Sequence, residues 1–262
     1  MTGRLFVFGL GYTASRIAAA LRADGWTVSA TGSAGDIAFG DDAGVRAALA
    51  RADHVLSSVP PGDGTDPVLD RYGDALAGKW LGYLSSTGVY GDCGGAWVDE
   101  SAGVGTGRRS ARAEADAAWL ERGARVFRLP GIYGPGRSAL DRVRAGRAHR
   151  IDLPQQVFSR VHVGDIVSGV IAALAAPPGA YNLADDLPCS QNTVIEEACR
   201  LLRLPPPPLL TLEQANLSPM AAGFYAENRR VANGKARRLL GWVPRYPTYR
   251  EGLASLARSS TA

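Results

Sequence analysis

The stretch RLFVFGLGYTA, residues 4–14, decides the fold of this 262-residue chain. Its first five residues predict a buried strand, and residues 12–23 carry apolar side chains at helical spacing. Between strand and helix stands a GxGxxA pattern. Gly9 permits a tight turn, Gly11 lets a ligand approach the backbone, and Ala14 allows the helix to pack closely on the strand. In this setting the pattern indicates a site for the pyrophosphate of a dinucleotide.

The alternation of strands and helices continues beyond this unit. Further strands are predicted at 27–31, 54–59, 80–85, 125–129 and 180–183, and helices at 43–51, 108–122 and 164–176. Parallel strands need crossover connections, so the pattern predicts an α/β fold with a Rossmann-type, doubly wound parallel sheet. We expect a dinucleotide-binding domain over 1–134, to which 162–183 return. Residues 135–161 and 184–262 are then expected to form a smaller, C-terminal substrate lobe.

Composition excludes several classes of protein. With 46% hydrophobic and 21% charged residues, the chain is typical of globular proteins and not of disordered ones. The three cysteines, Cys93, Cys189 and Cys199, are widely spaced and form no CxxC pair, so neither a disulfide framework nor a zinc site is indicated. The histidines show no ligand spacing either. We therefore expect no metal and a reducing, cytoplasmic setting.

Charge and hydropathy argue against two kinds of partner. The net charge is +4, but the positive residues are scattered and only 8% of residues are aromatic, so no nucleic-acid partner is expected. The longest stretch without an acidic or basic residue, 166–184, is broken by Pro177, Pro178 and Gly179. The sequence therefore predicts no membrane span.

The end of the second strand bears on the choice between NAD and NADP. NAD-selective proteins usually place a carboxylate about 20 residues beyond the glycines, whereas this chain has Thr31, Gly32 and Ser33 there. Without that carboxylate a 2′-phosphate is not repelled, and the hydroxyls could donate to it, so NADP is favoured over NAD. The accompanying cation would be Arg16 or Arg46. Asp36 is the alternative, NAD-selecting acid, although a solvated loop acid is the favoured interpretation.

Six segments together carry a resemblance to a known family. They are GLGYTA (9–14), LSSTGVYGD (84–92), RLPGIYGPGR (128–137), RVHVGDI (160–166), YNLADD (181–186) and LGWVPRYPTYREGL (240–253). In their order and spacing the chain resembles the extended short-chain dehydrogenase/reductases, or NAD-dependent epimerase/dehydratase family, over nearly its full length.

The resemblance implies a sheet of about seven strands and a set of site residues. Ser86 matches the hydroxyl residue that polarises the reacting group. Thr87 and Arg137 are implied to bind substrate. The positions implied to bind the cofactor are Gly9, Gly11, Tyr12, Thr13, Ala14, Thr31, Ser33, Ser57, Val59, Pro60, Ser85, Pro130 and Ile132.

The chain departs from the family at its Tyr-x-x-x-Lys pair, where Arg108 stands in the tyrosine place and Arg112 in the lysine place. A guanidinium stays charged because its pKa exceeds about 12, so Arg108 cannot pass a proton. Arg112 can still hold a ribose or a phosphate and is the second candidate catalytic residue beside Ser86. Cys93, Tyr90 and Tyr133 are interpreted as packing residues.

A further cluster of arginines follows the Gly134-Pro135-Gly136 turn. Its members are Arg137, Arg142, Arg144, Arg147 and Arg150. In extended family members this region faces the substrate's diphosphate, and arginine forks suit phosphate; a solvated helix face is an equal alternative. The partners expected are a small, phosphorylated or nucleotide-linked substrate and, by analogy with the family, a second copy in a homodimer.

Two functions remain open. The first is an NAD(P)-dependent oxidoreductase or epimerase acting on a small anionic or nucleotide-sugar-like substrate without the usual catalytic pair. The second is a protein that binds the dinucleotide, senses its redox state and signals without turnover. The missing tyrosine favours the second function, and the preserved substrate lobe favours the first.

Overall fold

The computed structural model describes residues 2–62, 64–105 and 110–259. Its strands are β1 (Arg4–Phe8), β2 (Thr27–Ala30), β3 (His54–Ser57), β4 (Trp80–Ser86), β5 (Trp97–Val98), β6 (Arg125–Leu129), β7 (Gly131–Tyr133), β8 (Arg150–Ile151), β9 (Arg160–His162), β10 (Gly179–Asn182), β11 (Leu209–Leu210) and β12 (Arg230–Val231). Its α-helices are α1 (Tyr12–Ala23), α2 (Asp42–Arg51), α3 (Pro67–Tyr72), α4 (Ser110–Glu121), α5 (Ala139–Arg144), α6 (Val163–Ala172), α7 (Gln191–Leu202), α8 (Pro219–Phe224), α9 (Gly234–Leu240) and α10 (Tyr249–Ser259).

The main sheet is parallel and has the strand order β2-β1-β3-β4-β6-β10. The predicted α/β, doubly wound fold is thus confirmed. The sheet has six strands, so the resemblance overstated their number by one. Between β2 and α2 the chain makes only an isolated bridge, Thr31 with Ile37, in place of a further edge strand.

Side chains of β1 alternate between two cores, as the period of a strand requires. Leu5 and Val7 face a core that receives Ile17 of α1 and Ile166 of α6. On the other face, Phe6 and Phe8 pack with residues of α2, α3 and α4, including Leu49, Val68 and Trp119. Helices therefore cover both faces of the sheet, as a buried parallel sheet requires.

A third core belongs to the predicted substrate lobe. It joins α5, α7 and α10 through buried residues that include Leu140, Val194, Ala198, Leu253 and Tyr249. By contrast, Ala236 of α9 and the nearby Trp242 are buried in the core shared by α1 and α6. The segment 234–242, which the sequence analysis assigns to the lobe, therefore packs on the sheet.

The strand order places a site at the carboxyl edge of the sheet. From β1 the chain moves to β2 on one side, and from β2 it crosses back to β3 on the other side of β1. At such a reversal the loops diverge and leave a crevice, where α/β proteins bind ligands. Across the described residues, no helix is long and apolar enough to cross a membrane.

Candidate functional site

A cleft of about 930 Å³ opens at this edge of the sheet. At one end it is lined by the glycine turn, residues 11–14, and in its middle by residues 84–87 and 129–133. The other end is lined by side chains of the lobe, among them Arg142, Phe158 and Tyr225. The cleft therefore joins the predicted cofactor site to the predicted substrate site.

The glycine turn has room for a ligand. Gly9 has φ of +81°, a conformation that favours glycine. Gly11 is the N-cap of α1, whose first turn contains no acidic residue, and a Cβ built on Gly11 would meet no atom within 4 Å. The open space lies at the positive end of a helix dipole, so the turn fits the pyrophosphate of a dinucleotide.

Residues that follow β2 pack against the glycine turn. The Gly9 amide donates to the Thr31 hydroxyl at 3.1 Å, and the Leu10 amide donates to the Thr31 carbonyl at 2.7 Å. Thr31 is only 1% exposed. A Cβ on Gly32 would lie 2.7 Å from the Leu10 amide nitrogen. The structure thus uses Thr31 to shape the turn, whereas Ser33 is exposed.

Neither predicted cation for a 2′-phosphate is directed to Ser33. Arg16 donates to the carbonyls of Tyr12 at 2.7 Å and Pro135 at 3.3 Å. Arg46 forms an ion pair with Asp74 at 2.8 Å. The alternative acid, Asp36, accepts a hydrogen bond from the Ala30 amide at 2.7 Å. All three side chains have structural partners, so the choice between NADP and NAD stays a prediction.

The segment after β3 places a different serine in the cleft from the one expected. Ser57 is fully buried, whereas Ser58 lines the cleft and its hydroxyl donates to the Gly9 carbonyl. Because β3 ends at Ser57 and is buried on both faces, the alternation of side chains could not have identified Ser58. Of the remaining predicted cofactor residues in this middle region, Ser85, Pro130 and Ile132 line the cleft, and Val59 and Pro60 do not.

Ser86, Thr87 and Arg112 all line the cleft. The Ser86 hydroxyl accepts a hydrogen bond from the Gly88 amide at 3.1 Å. Within the described ranges no acceptor takes the proton of Ser86, which leaves it for a ligand. Thr87 is 4% exposed. Arg108, the residue in the tyrosine place, lies outside the described residues.

Arg112 enters the cleft with part of its hydrogen-bonding capacity unused. Its Nη1 donates to the Tyr83 hydroxyl at 3.4 Å, while its Nε is buried and has no partner. Burial raises the pKa of Tyr83 to about 12, although the charge of Arg112 opposes the rise. A buried N–H without an acceptor is costly. Because the Nε is buried, a ligand in the cleft would meet the terminal nitrogens of Arg112 rather than this atom.

A buried ion pair, which the sequence analysis did not identify, stabilises the elements around this part of the cleft. Asp116 of α4 is fully buried and pairs with Arg128 of β6 at 2.7 Å and 3.1 Å. The Ser85 hydroxyl donates to the same carboxylate at 2.7 Å, and Arg128 donates to the Tyr90 hydroxyl at 3.0 Å. The bidentate pair thus fixes α4, which carries Arg112, against β4 and β6.

Tyr12 links the glycine turn to the lobe. Its hydroxyl donates to the Pro135 carbonyl at 3.1 Å, and Arg16 stacks on its ring at 3.9 Å. The guanidinium of Arg137 lies 5.6 Å from the centre of the same ring. Arg137, predicted to bind substrate, therefore lies near the glycine turn. It is exposed to the cleft.

Comparisons with known proteins agree with this geometry. No protein-family model matches the chain. A 3-diazoavenalumate denitrifying reductase from a Streptomyces species is 34% identical over 140 residues, which are 49% of this chain. The match spans 45% of that relative, less than half of its length. Protein YeeZ of Escherichia coli is 27% identical over 93% of this chain and 96% of its own length.

Solved structures extend the match to the whole chain. A conserved protein of unknown function from Silicibacter pomeroyi is 40% identical, with a TM-score of 0.88 over 98% of this chain and 99% of its own. A Bacillus anthracis dTDP-glucose 4,6-dehydratase in complex with NAD matches at 15% identity and a TM-score of 0.77, covering 98% and 96% of the two chains. A human epimerase family protein with NADPH matches at 17% identity and a TM-score of 0.76, covering 97% and 99%. The chain therefore belongs to one family with the Silicibacter pomeroyi protein and has the fold of the NAD-dependent epimerase/dehydratases, the extended short-chain dehydrogenase/reductases.

Proposed function

We propose that this protein is an NAD(P)H-dependent reductase of a small anionic substrate. The observation that carries the proposal is the cleft itself, which begins at the glycine turn and is also lined by Ser86 and Arg112. These groups fit the successive parts of a dinucleotide and its reaction partner. The dinucleotides in the complexes of two proteins that share the fold support the same assignment.

When bound, the cofactor supplies a hydride. Gly11 and the N-terminus of α1 hold its pyrophosphate, because the free amides and the helix dipole favour negative charge there. Arg112 holds the adjoining ribose or an anionic group of the substrate. Ser86 donates its free hydroxyl proton in a hydrogen bond to the reacting group and orients it, with Thr87 beside it.

The arginines restrict the kind of reaction. Arg112 stays protonated and cannot deliver a proton, and the sequence places a second arginine, Arg108, where the family has its tyrosine. A hydride acceptor that requires no proton from the protein suits such a site. Displacement of dinitrogen from the diazonium group of a carboxylate-bearing ring is one example: hydride forms a C–H bond, and the C–N bond breaks with its electron pair leaving on N₂. The name of the Streptomyces relative, a denitrifying reductase of a diazo compound, supports this reaction class.

Cofactor binding is tested by calorimetric titration with NADPH and NADH at fixed salt. We expect binding of at least one of them, and a loss of at least about tenfold in affinity for Gly11→Asp, whose carboxylate would face the pyrophosphate. The matched control is Gly40→Asp, since Gly40 is exposed, outside the cleft, and also has open space around its Cβ position. Equal affinity for both variants would refute the cofactor assignment.

Turnover is tested with 4-carboxybenzenediazonium and NADPH labelled with deuterium at C4. We expect benzoate with deuterium on the ring, formed one-to-one with NADP⁺ and faster than with the Gly11→Asp variant. The replacement of the Tyr/Lys pair also favours a second function, a dinucleotide sensor without turnover. NADPH binding with no consumption of NADPH above the background of that variant would favour the sensor.

A further inference from the structure

The lobe end of the cleft has a predominantly apolar wall. Side chains from four separate segments line it: Phe158, Val194, Leu217, Ala221, Tyr225 and Leu253. Phe158 and Tyr225 pack edge to face, with ring centres 5.4 Å apart and an interplanar angle of 89°. Phe224 also lines the cleft and is 54% exposed. A wall of this kind favours an apolar, planar body over a polyhydroxylated one.

Two cations stand in this apolar surrounding. Arg160 is only 6% exposed and donates to the carbonyl oxygens of Phe158 at 2.9 Å and Cys189 at 3.1 Å. Arg142 reaches the same cleft from α5. Within the described ranges, neither guanidinium forms an ion pair with a carboxylate. Loss of hydration and the charge of Arg160 lower the pKa of Arg142, although Tyr225 opposes the change.

The carboxylates that line the cleft already have partners. Asp141 accepts hydrogen bonds from the amide of Ser138 at 2.9 Å and from its hydroxyl at 2.8 Å. Glu227 pairs with Arg229 at 3.0 Å. Neither neutralises Arg142 or Arg160. Arg142 is exposed, lines the cleft and has no carboxylate partner among the described residues, so an anionic ligand would find an unpaired cation there.

Several polar side chains that line this end of the cleft already have partners in the protein. The Ser159 hydroxyl accepts a hydrogen bond from the Val231 amide at 2.9 Å. Gln191 contributes an unpartnered Nε2, and its Oε1 accepts from Arg160 at 3.3 Å. The hydroxyls of a nucleotide sugar would lose water here and gain few replacements. One anionic group on an apolar body matches the wall better.

We infer that the lobe end of the cleft binds an aromatic carboxylate, with the carboxylate on Arg142 and the ring against Phe158 and Tyr225; Arg160, whose terminal nitrogens donate to protein acceptors, adds positive charge nearby. The planar guanidinium fork matches a carboxylate in a two-bond geometry. The inference deepens the proposed function by naming the substrate class, and rests on that function for turnover. Binding of the carboxylate itself can be measured independently.

The test is a calorimetric titration of the full chain with 2-naphthoate, with and without NADPH. The neutral isostere 2-naphthamide shows how much the negative charge contributes to affinity. 2-Naphthyl phosphate tests whether the site prefers a carboxylate to a phosphate, and UDP-glucose represents the nucleotide sugars. We expect 2-naphthoate to bind most tightly, at least about tenfold better than the amide. Equal binding of acid and amide, or tighter binding of the phosphate or of UDP-glucose, would overturn the inference.

Two variants of α5 test whether Arg142 binds the carboxylate. Arg142→Met should weaken 2-naphthoate at least about tenfold and leave 2-naphthamide unchanged. Arg144→Met is the matched control, since Arg144 lies outside the cleft lining and pairs with Asp141 at 4.0 Å. Equal weakening by the two variants would contradict the assignment of Arg142. If 2-naphthoate binds and NADPH does not, the proposed reductase is refuted and the aromatic-carboxylate site stands. If NADPH binds and 2-naphthoate does not, the aromatic-carboxylate site is refuted and the cofactor assignment stands.

Discussion

The acid stability of this protein should depend on His162. The side chain is 6% exposed, and its Nδ1 accepts a hydrogen bond from the Gly164 amide at 3.1 Å, which places the proton of the neutral ring on Nε2. Burial, together with the charges of Arg16 and Arg245, lowers the pKa of His162 from 6.5 to about 4. The folded state therefore resists a proton that the unfolded chain accepts.

The magnitude follows from linkage. Each pH unit between 6.5 and about 4 costs the folded state about 1.4 kcal/mol, so the full loss is about 3 kcal/mol. Above pH 6.5 the ring is neutral in both states, and its contribution to the free energy of unfolding is complete. As the pH falls, that contribution declines, reaching a loss of about 1.4 kcal/mol at pH 5.5.

Urea unfolding of the wild type and of His162→Asn between pH 8 and pH 4 measures this effect. Asparagine keeps an acceptor for the Gly164 amide at the N-terminus of α6 and removes the titration. We compare the slopes of the unfolding free energy against pH, because the smaller asparagine also leaves a cavity that lowers stability at every pH. His149→Asn, at an exposed position, is the control. If the wild type and His162→Asn lose stability in parallel from pH 6.5 to pH 4, the reasoning is wrong.

Three further predictions concern other buried or cleft residues. Burial raises the pKa of Asp185 from 3.8 to about 7, so Asp185 makes the wild type less stable as the pH rises through this range; Asp185→Asn should remove that slope in the same urea series, and an unchanged slope would refute it. Asp116→Asn leaves Arg128 buried without a compensating charge and should cost about 3 kcal/mol or more, seen as a lower Tm than that of the exposed control Asp70→Asn. Arg137→Met should weaken the binding of NADPH more than the binding of 2-naphthoate, because Arg137 lies beside Tyr12. A larger loss of 2-naphthoate affinity would show that Arg137 binds the substrate instead.

The elements of the sheet could be predicted because their signals are local. The run before Gly9 and the pattern after it identify β1, the turn and α1, and the structure places them as predicted. The residues themselves indicate six strands. The seventh came from the resemblance, and a single bridge between Thr31 and Ile37 replaces it.

The parts of the site that sequence reasoning missed depend on tertiary contacts. Asp116 and Arg128 stand 12 residues apart with no motif around them, and only the packing of α4 on β6 brings them together. Thr31 has the chemistry of a phosphate ligand, but its hydroxyl accepts from the Gly9 amide. Arg16 and Arg46 were plausible by charge, and their backbone and Asp74 partners could not be read from spacing.

The core that joins α5, α7 and α10 has a consequence for synthesis on the ribosome. Leu140 emerges early, whereas Tyr249 and Leu253, which pack against it, are among the last described residues to be made. Strands β1 to β4 and their helices can assemble while translation continues. The glycine turn can thus form on a nascent chain before α10, which completes the core behind the apolar wall of the cleft, has been made.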